Sequence, residues 1–174
     1  MIVILSNGKV SVMISLDDVI RLETNEDSKL LVLQAKYLVQ QHYTFSVRVI
    51  SGEFSGKSHF CFSVNEIRRL IMDLDEMRKT LDGTTVIRDY DSDAFLEFRM
   101  LDHGHFEVGG QVGSSGDDHF MTFKFVTDQT AIQPFIIRIT RHIESIGVNF
   151  VYTNYNLSCY GTNSGGGFQA RDAN

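Results

Sequence analysis

An α+β fold is what the 174 residues predict: antiparallel β-sheet meanders with two amphipathic helices packed on the sheet, in the order strands, helix, strands, helix. Three observations point there. Through most of the first half, and again after residue 83, apolar side chains alternate with period two, as in strands with one buried face. Two stretches switch to three- and four-residue spacing, each behind a capping signature. Strands also come in runs and do not alternate with helices, which disfavours a doubly wound parallel sheet.

Taken in order, the stretch 10 to 14 and "DVIRLET" read as strands. "KLLVLQAKY" is a longer one, with Leu31, Leu33, Ala35 and Tyr37 expected to face one way. "TFSVRVIS" places Phe45, Val47 and Val49 on one face, and "GEFSGKSHFCF" returns with Phe60 and Phe62, so residues 43 to 62 read as a hairpin with Gly52 and Gly56 at its turn. Ser63 and Glu66 then stand three apart, and each can satisfy a backbone N–H that the first turn of a helix leaves free. Val64, Ile67, Leu70, Ile71, Leu74, Met77 and Leu81 form one apolar stripe, and Gly83 is expected as the left-handed C-terminal cap. The opposite face carries Arg68, Asp73, Asp75, Glu76, Arg78 and Lys79.

"TTVIRDY", "AFLEFRML", "HFEVGGQV" and "HFMTFKFV" follow as a second meander. Thr130 with Gln133 is expected to open the last helix, whose stripe is Ile132, Phe135, Ile136, Ile139, Ile143 and Ile146. Pro134 would then fall in the first turn, where its missing N–H costs nothing. Beyond Gly147, "VNFVYTNYNLSCY" suggests one more strand. Residues 1–160 are read as a single domain and 161–174 as a glycine-rich tail.

Composition narrows the chemistry. Sixteen basic against 22 acidic side chains leave a formal charge of −6, and no basic run stands out, so nucleic acid is not expected as a direct ligand. The apolar start lacks a basic n-region and is broken by Ser6, Asn7, Gly8 and Lys9, unlike a signal peptide. No apolar run reaches membrane-spanning length, so no membrane is expected. Cys61 and Cys159 match neither a zinc nor a redox spacing and read as free thiols of a cytoplasmic protein. No P-loop, G-x-G-x-x-G after a strand, HExxH or nucleophile elbow is present, and neither an enzyme nor a cofactor is expected.

The densest cluster of functional side chains is "LDHGHFEVGGQVGSSGDDHF", which holds His103, His105 and His119 with Asp102, Asp117 and Asp118. These are metal-ligand types, and a metal-binding or metal-dependent protein is the alternative function. Strand alternation on both sides favours a hairpin instead, with "DHG" at one turn and "GSSGDDH" as a long loop. "RDYDSDAFLEF" brings Asp89, Asp91 and Asp93 together but lacks the glycine and glutamate positions of a calcium loop.

From Val19 to Ser145 the chain resembles the WapI-type immunity proteins of bacterial polymorphic and contact-dependent toxin systems. The resemblance is carried by "VIRLETNEDSKLLVLQAKY", "GEFSGKSHFCFSVNEIRRLIMDLDEM", "AFLEFRMLDHGHFEVGGQV" and "FMTFKFVTDQTAIQPFIIRITRHI". Members often carry a tryptophan where this chain has Tyr43, Thr44 and Phe45; this chain has no Trp. What the resemblance implies is a non-enzymatic cytoplasmic protein that binds and neutralises a cognate toxin C-terminal domain, often a nuclease. A general adaptor or chaperone is the further alternative. Nuclease toxins are commonly basic, so electrostatics places the expected interface on the acidic loops of Asp89, Asp91 and Asp93 and of Asp117 and Asp118, joined by Asp73, Asp75 and Glu76.

Overall fold

The computed structural model describes residues 19–145 in full, and outside them the backbone of four short strands. The tail at 161–174, the boundary at 160, Cys159 and Ile146 lie outside the described residues. The strands are β1 (Ile2–Ser6), β2 (Lys9–Met13), β3 (Val19–Glu23), β4 (Lys29–Val39), β5 (His42–Ser51), β6 (Phe54–Ser63), β7 (Thr84–Arg88), β8 (Phe95–Met100), β9 (His105–Val112), β10 (Met121–Asp128), β11 (Val151–Thr153) and β12 (Asn156–Ser158). Helix α1 (Val64–Thr80) separates the two runs, and α2 (Ile132–Ser145) follows the second. The predicted class and order hold, but the strands divide between two sheets. One runs β1-β2-β4-β5-β6, with β3 also paired to β4; the other runs β10-β9-β8-β7; all pairings are antiparallel. Where the sequence suggests one further strand after Gly147, β11 and β12 pair as a short hairpin.

Both sheets and both helices close on one core. Leu22, Leu31, Val47 and Phe60 come from the first sheet, Leu96, Phe98, Phe106 and Val108 from the second, Ile71 and Leu74 from α1, and Phe135 and Ile143 from α2. Each buried side chain of this size stabilises the fold by roughly 1.5–3 kcal/mol relative to exposure. Helix α1 packs on β7 and α2, and α2 on β3. Polar ties fix these layers: Thr85 Oγ1 on β7 donates to Asp73 Oδ2 at 2.7 Å, and Arg138 of α2 pairs with Glu23 at 2.9 Å while donating to the Arg21 carbonyl.

The predicted start of α1 is present in full. Ser63 is the N-cap, its Oγ accepts from the Glu66 N–H, and its own N–H donates to Glu66 Oε2 at 2.9 Å. Four local expectations are corrected. The left-handed residue that ends α1 is Leu81 (φ 57°, ψ 32°), which therefore leaves the apolar stripe and stands half exposed. Gly83 is already committed to the second sheet, where its carbonyl accepts the Met100 N–H, so the reversal must come two residues earlier. Asp128 caps a 3₁₀ turn at Gln129–Ala131, its Oδ1 accepting from the Thr130 N–H at 2.8 Å, and α2 is entered through that turn. Pro134 has no N–H to offer the carbonyl four residues back, which displaces the α-helical start beyond Thr130.

Gly56 lies inside β6 and not at the hairpin turn; a Cβ there would sit 2.6 Å from Val112 Cγ2, so glycine lets β9 approach β6. Finally, a bulge in β4 between Ala35 and Tyr37 reverses the alternation. Leu31, Leu33 and Ala35 are buried as predicted, whereas Tyr37 pairs with Thr44 and turns to the outer face, 47% exposed.

Candidate functional site

The outer face of the first sheet carries the site. At the β6 end of that face, the β7–β8 loop and the β9–β10 loop enclose a cleft of about 290 Å³ with Thr44, His59 and Cys61 on the sheet side and Asp89, Asp91, Ser92, Ser114 and Asp117 on the loop side. Tyr37 joins the lining because the β4 bulge aims it there, as bulges beside functional surfaces commonly re-aim one side chain. Tyr90, next along the loop, is 73% exposed and lies against His42, with ring centroids 5.3 Å apart. Among the described residues no lysine or arginine lines the cleft.

Two of the loop carboxylates are engaged in hydrogen bonds that build the cleft, one buried and one exposed. Asp89 is buried; its Oδ1 accepts from the Cys61 N–H at 2.6 Å and its Oδ2 from the Ser92 hydroxyl at 2.5 Å. The Cys61 carbonyl in turn accepts the Tyr90 N–H at 3.0 Å. Asp93 joins the two loops, accepting from the Ser115 hydroxyl, from the Ser115 N–H at 2.9 Å and from Gln111 Nε2 at 3.1 Å. The Ser115 hydroxyl and N–H, with Gln111 adding to them, hold the Asp93 carboxyl down at about 2. Asp91, Asp117 and Asp118 are exposed, and their carboxylates form no hydrogen bond or ion pair among the described residues.

The acidic face of α1 is separate. Asp73 is spent on Thr85, and Asp75 is bridged by Arg78 at 2.9 Å and Lys79 at 2.6 Å. Burial pushes the Asp75 carboxyl up, but hydrogen bonds from Lys79 and Arg78 outweigh it and leave it below the usual range. Glu76 is exposed, and none of these three lines the cleft; neither does Asp118. The structure thus brings Asp89, Asp91 and Asp117 to one cleft, engages Asp93 in the contact between the two loops and leaves the α1 acids elsewhere.

The histidines do not converge. His103 sits in the 3₁₀ turn at Asp102–Gly104 and His105 at the start of β9, while His119 is in the loop at the far end of the β9–β10 hairpin. The length of β9 lies between them, which is roughly 25 Å. Among the described residues no group of three or more His, Cys, Asp or Glu is placed to hold a metal ion. Burial, then Asp91, Asp89 and Glu66, push the Cys61 thiol up, the opposite of what a nucleophile requires.

One feature of this face escapes the linear sequence. Arg21, Val32, Arg48 and Lys57 align in one cross-strand row, so three cations converge although no basic run exists.

Exposed tyrosines around charged groups, on a rigid sheet, are the composition enriched where one protein recognises another. The model of the WapI-like immunity protein family matches residues 40–147, more than half of the chain, and the chain belongs to that family. The match begins at the β4–β5 turn and runs through α2, so it includes both loops of the cleft. No curated protein and no solved structure matches the chain. Among the described residues no helix is long and apolar enough to cross a membrane.

Proposed function

We propose that this immunity protein acts without catalysis, by binding a cognate bacterial toxin domain through the acidic cleft, and that the toxin is a basic nuclease met in the cytoplasm. The observation that carries the reading is the cleft itself: Asp91 and Asp117 have no partner among the described residues and share the cleft with Tyr37, Tyr90 follows on the same loop, and no lysine or arginine is among the described lining residues. Such a surface steers a basic partner by its field and offers aromatic anchors once the two meet. Asp118 extends the acidic rim; Asp89 and Asp93 hold the loops in place. Asp73, Asp75 and Glu76 fall outside the contact.

Co-expression with the toxin domain encoded beside the immunity gene tests this. The wild-type chain should restore growth, and Asp91→Lys with Asp117→Lys should abolish the rescue while leaving the protein folded. Glu76→Lys on α1 is the control: the same charge reversal outside the cleft should rescue as well as wild type. Failure of the wild-type chain to rescue would remove the toxin reading; rescue by the double variant would move the interface elsewhere.

A further inference from the structure

The row of cations on the first sheet forms no ion pair among the described residues. Arg48 and Lys57 are directly opposed across β5 and β6, an arrangement that disfavours strand pairing, and Arg21 stands in the same row. All three are exposed, and no acidic side chain pairs with them among the described residues. Around them is a hollow of about 270 Å³ with the half-buried Val19, Leu30 and Val32 and the polar Gln34 and Ser46 in its lining. Four residues along β6 from Lys57, roughly 13 Å, the same face reaches Cys61 and the acidic cleft.

One face therefore carries a positive hollow and a negative cleft side by side. A two-fold interface uses the same patch on both copies, so the patch must complement itself. A face of one sign fails that condition, and this face meets it. We propose that the outer face of the first sheet docks on the same face of a second copy, with Asp91 and Asp117 of each copy over Arg21, Arg48 and Lys57 of the other. Exposed Tyr37 and Tyr90 are then covered at the rim. A nucleic acid fits the cations less well: among the described residues no aromatic side chain lines the hollow to stack a base, and the carboxylates on the same face repel phosphate. The inference does not depend on the toxin reading. Where both hold, toxin and second copy compete for Asp91 and Asp117.

Sedimentation of the purified full chain decides it. Wild type should show the mass of a dimer at low salt and dissociate as salt screens the contact. Arg48→Glu with Lys57→Glu, and separately Asp91→Lys with Asp117→Lys, should each weaken the dimer at least about tenfold. An equimolar mixture of the two variants should recover it, because both contacts between them pair opposite charges. Circular dichroism checks that each variant is folded, and Arg21→Glu with Lys57→Glu replaces the first if it is not. A wild type that stays monomeric at low salt, variants that dimerise like wild type, or a mixture no better than its parts would each overturn the proposal. So would a single-stranded oligonucleotide that binds the wild type and not the Arg48→Glu, Lys57→Glu variant.

Discussion

The two acidic regions, the exposed side of α1 and the β7–β8 loop, each carry three acids, and Asp75 on the helix is held by different chemistry from Asp89 and Asp93 in the loop. On α1 the partners of Asp75 are cations one turn away, Arg78 and Lys79, so its charge is cancelled where it stands. In the loop, Asp89 and Asp93 are held by neutral donors: the Cys61 and Ser115 N–H groups, the Ser92 and Ser115 hydroxyls and the Gln111 amide. Neutral donors stabilise a carboxylate without cancelling its field. Asp89 and Asp93 therefore keep their negative field, while the charge of Asp75 is spent on its own neighbours.

Removal of the buried loop acid should do the most damage. Asp89→Ala strands the Cys61 N–H at the sheet edge and should cost about 2–3 kcal/mol in denaturant unfolding, whereas Asp91→Ala, with no partner to lose, should stay within about 0.5 kcal/mol of wild type. The second test uses pH and salt. The folded Asp93 carboxyl lies at about 2, below its ordinary 3.8, so its contribution is complete above about pH 4 and lost as pH falls from there towards 2. Asp93→Asn should remove that part of the acid destabilisation and raise the hydrogen exchange of the Ser115 amide. High salt should leave the Asp93 effect in place, since its partners carry no charge. Among the acids that have partners, the smallest effect belongs to the helix. Asp75→Asn should lose no more than about 0.5–1 kcal/mol, because solvent screens a surface pair, and added salt should erase even that. If Asp93 proved as salt-sensitive as Asp75, the distinction between the two regions would fail.

What could be read from the sequence was local. Ser63 and Glu66 are three residues apart, and their capping box needs nothing beyond the first turn of α1. The alternation of Phe45, Val47 and Val49 and the stripe from Val64 to Met77 are set by the same short range, and all are buried. Apart from the start of α2, where Asp128 and Pro134 act locally, the misreadings arise where distant parts of the chain compete with local preference. Gly83 is the ordinary choice for a left-handed cap, but β8 claims it, and Leu81 takes the strain. Tyr37 continues a clean alternation on paper, and only the pairing of β4 with β5 reveals the bulge that turns it outward. The candidate cleft was visible in the sequence only as two acidic loops, Asp89 to Asp93 and Asp117 with Asp118. The division of labour inside it was not, because Asp89 finds its partner 28 residues away and Asp93 22 residues away. The cationic row was least visible, since Arg21, Arg48 and Lys57 become neighbours only through strand register.

The bonds between Cys61 and the Asp89–Tyr90 turn have a consequence for solubility. Strand β6 is ten residues long and lies at the end of its sheet, where unpaired N–H and C=O groups invite strands from other molecules to add on. At Cys61 both groups are already taken, one by a carboxylate and one by a backbone N–H. The turn thus works as a stopper against sheet-to-sheet polymerisation, and the negative charge it carries repels an approaching copy's carboxylates along the same edge.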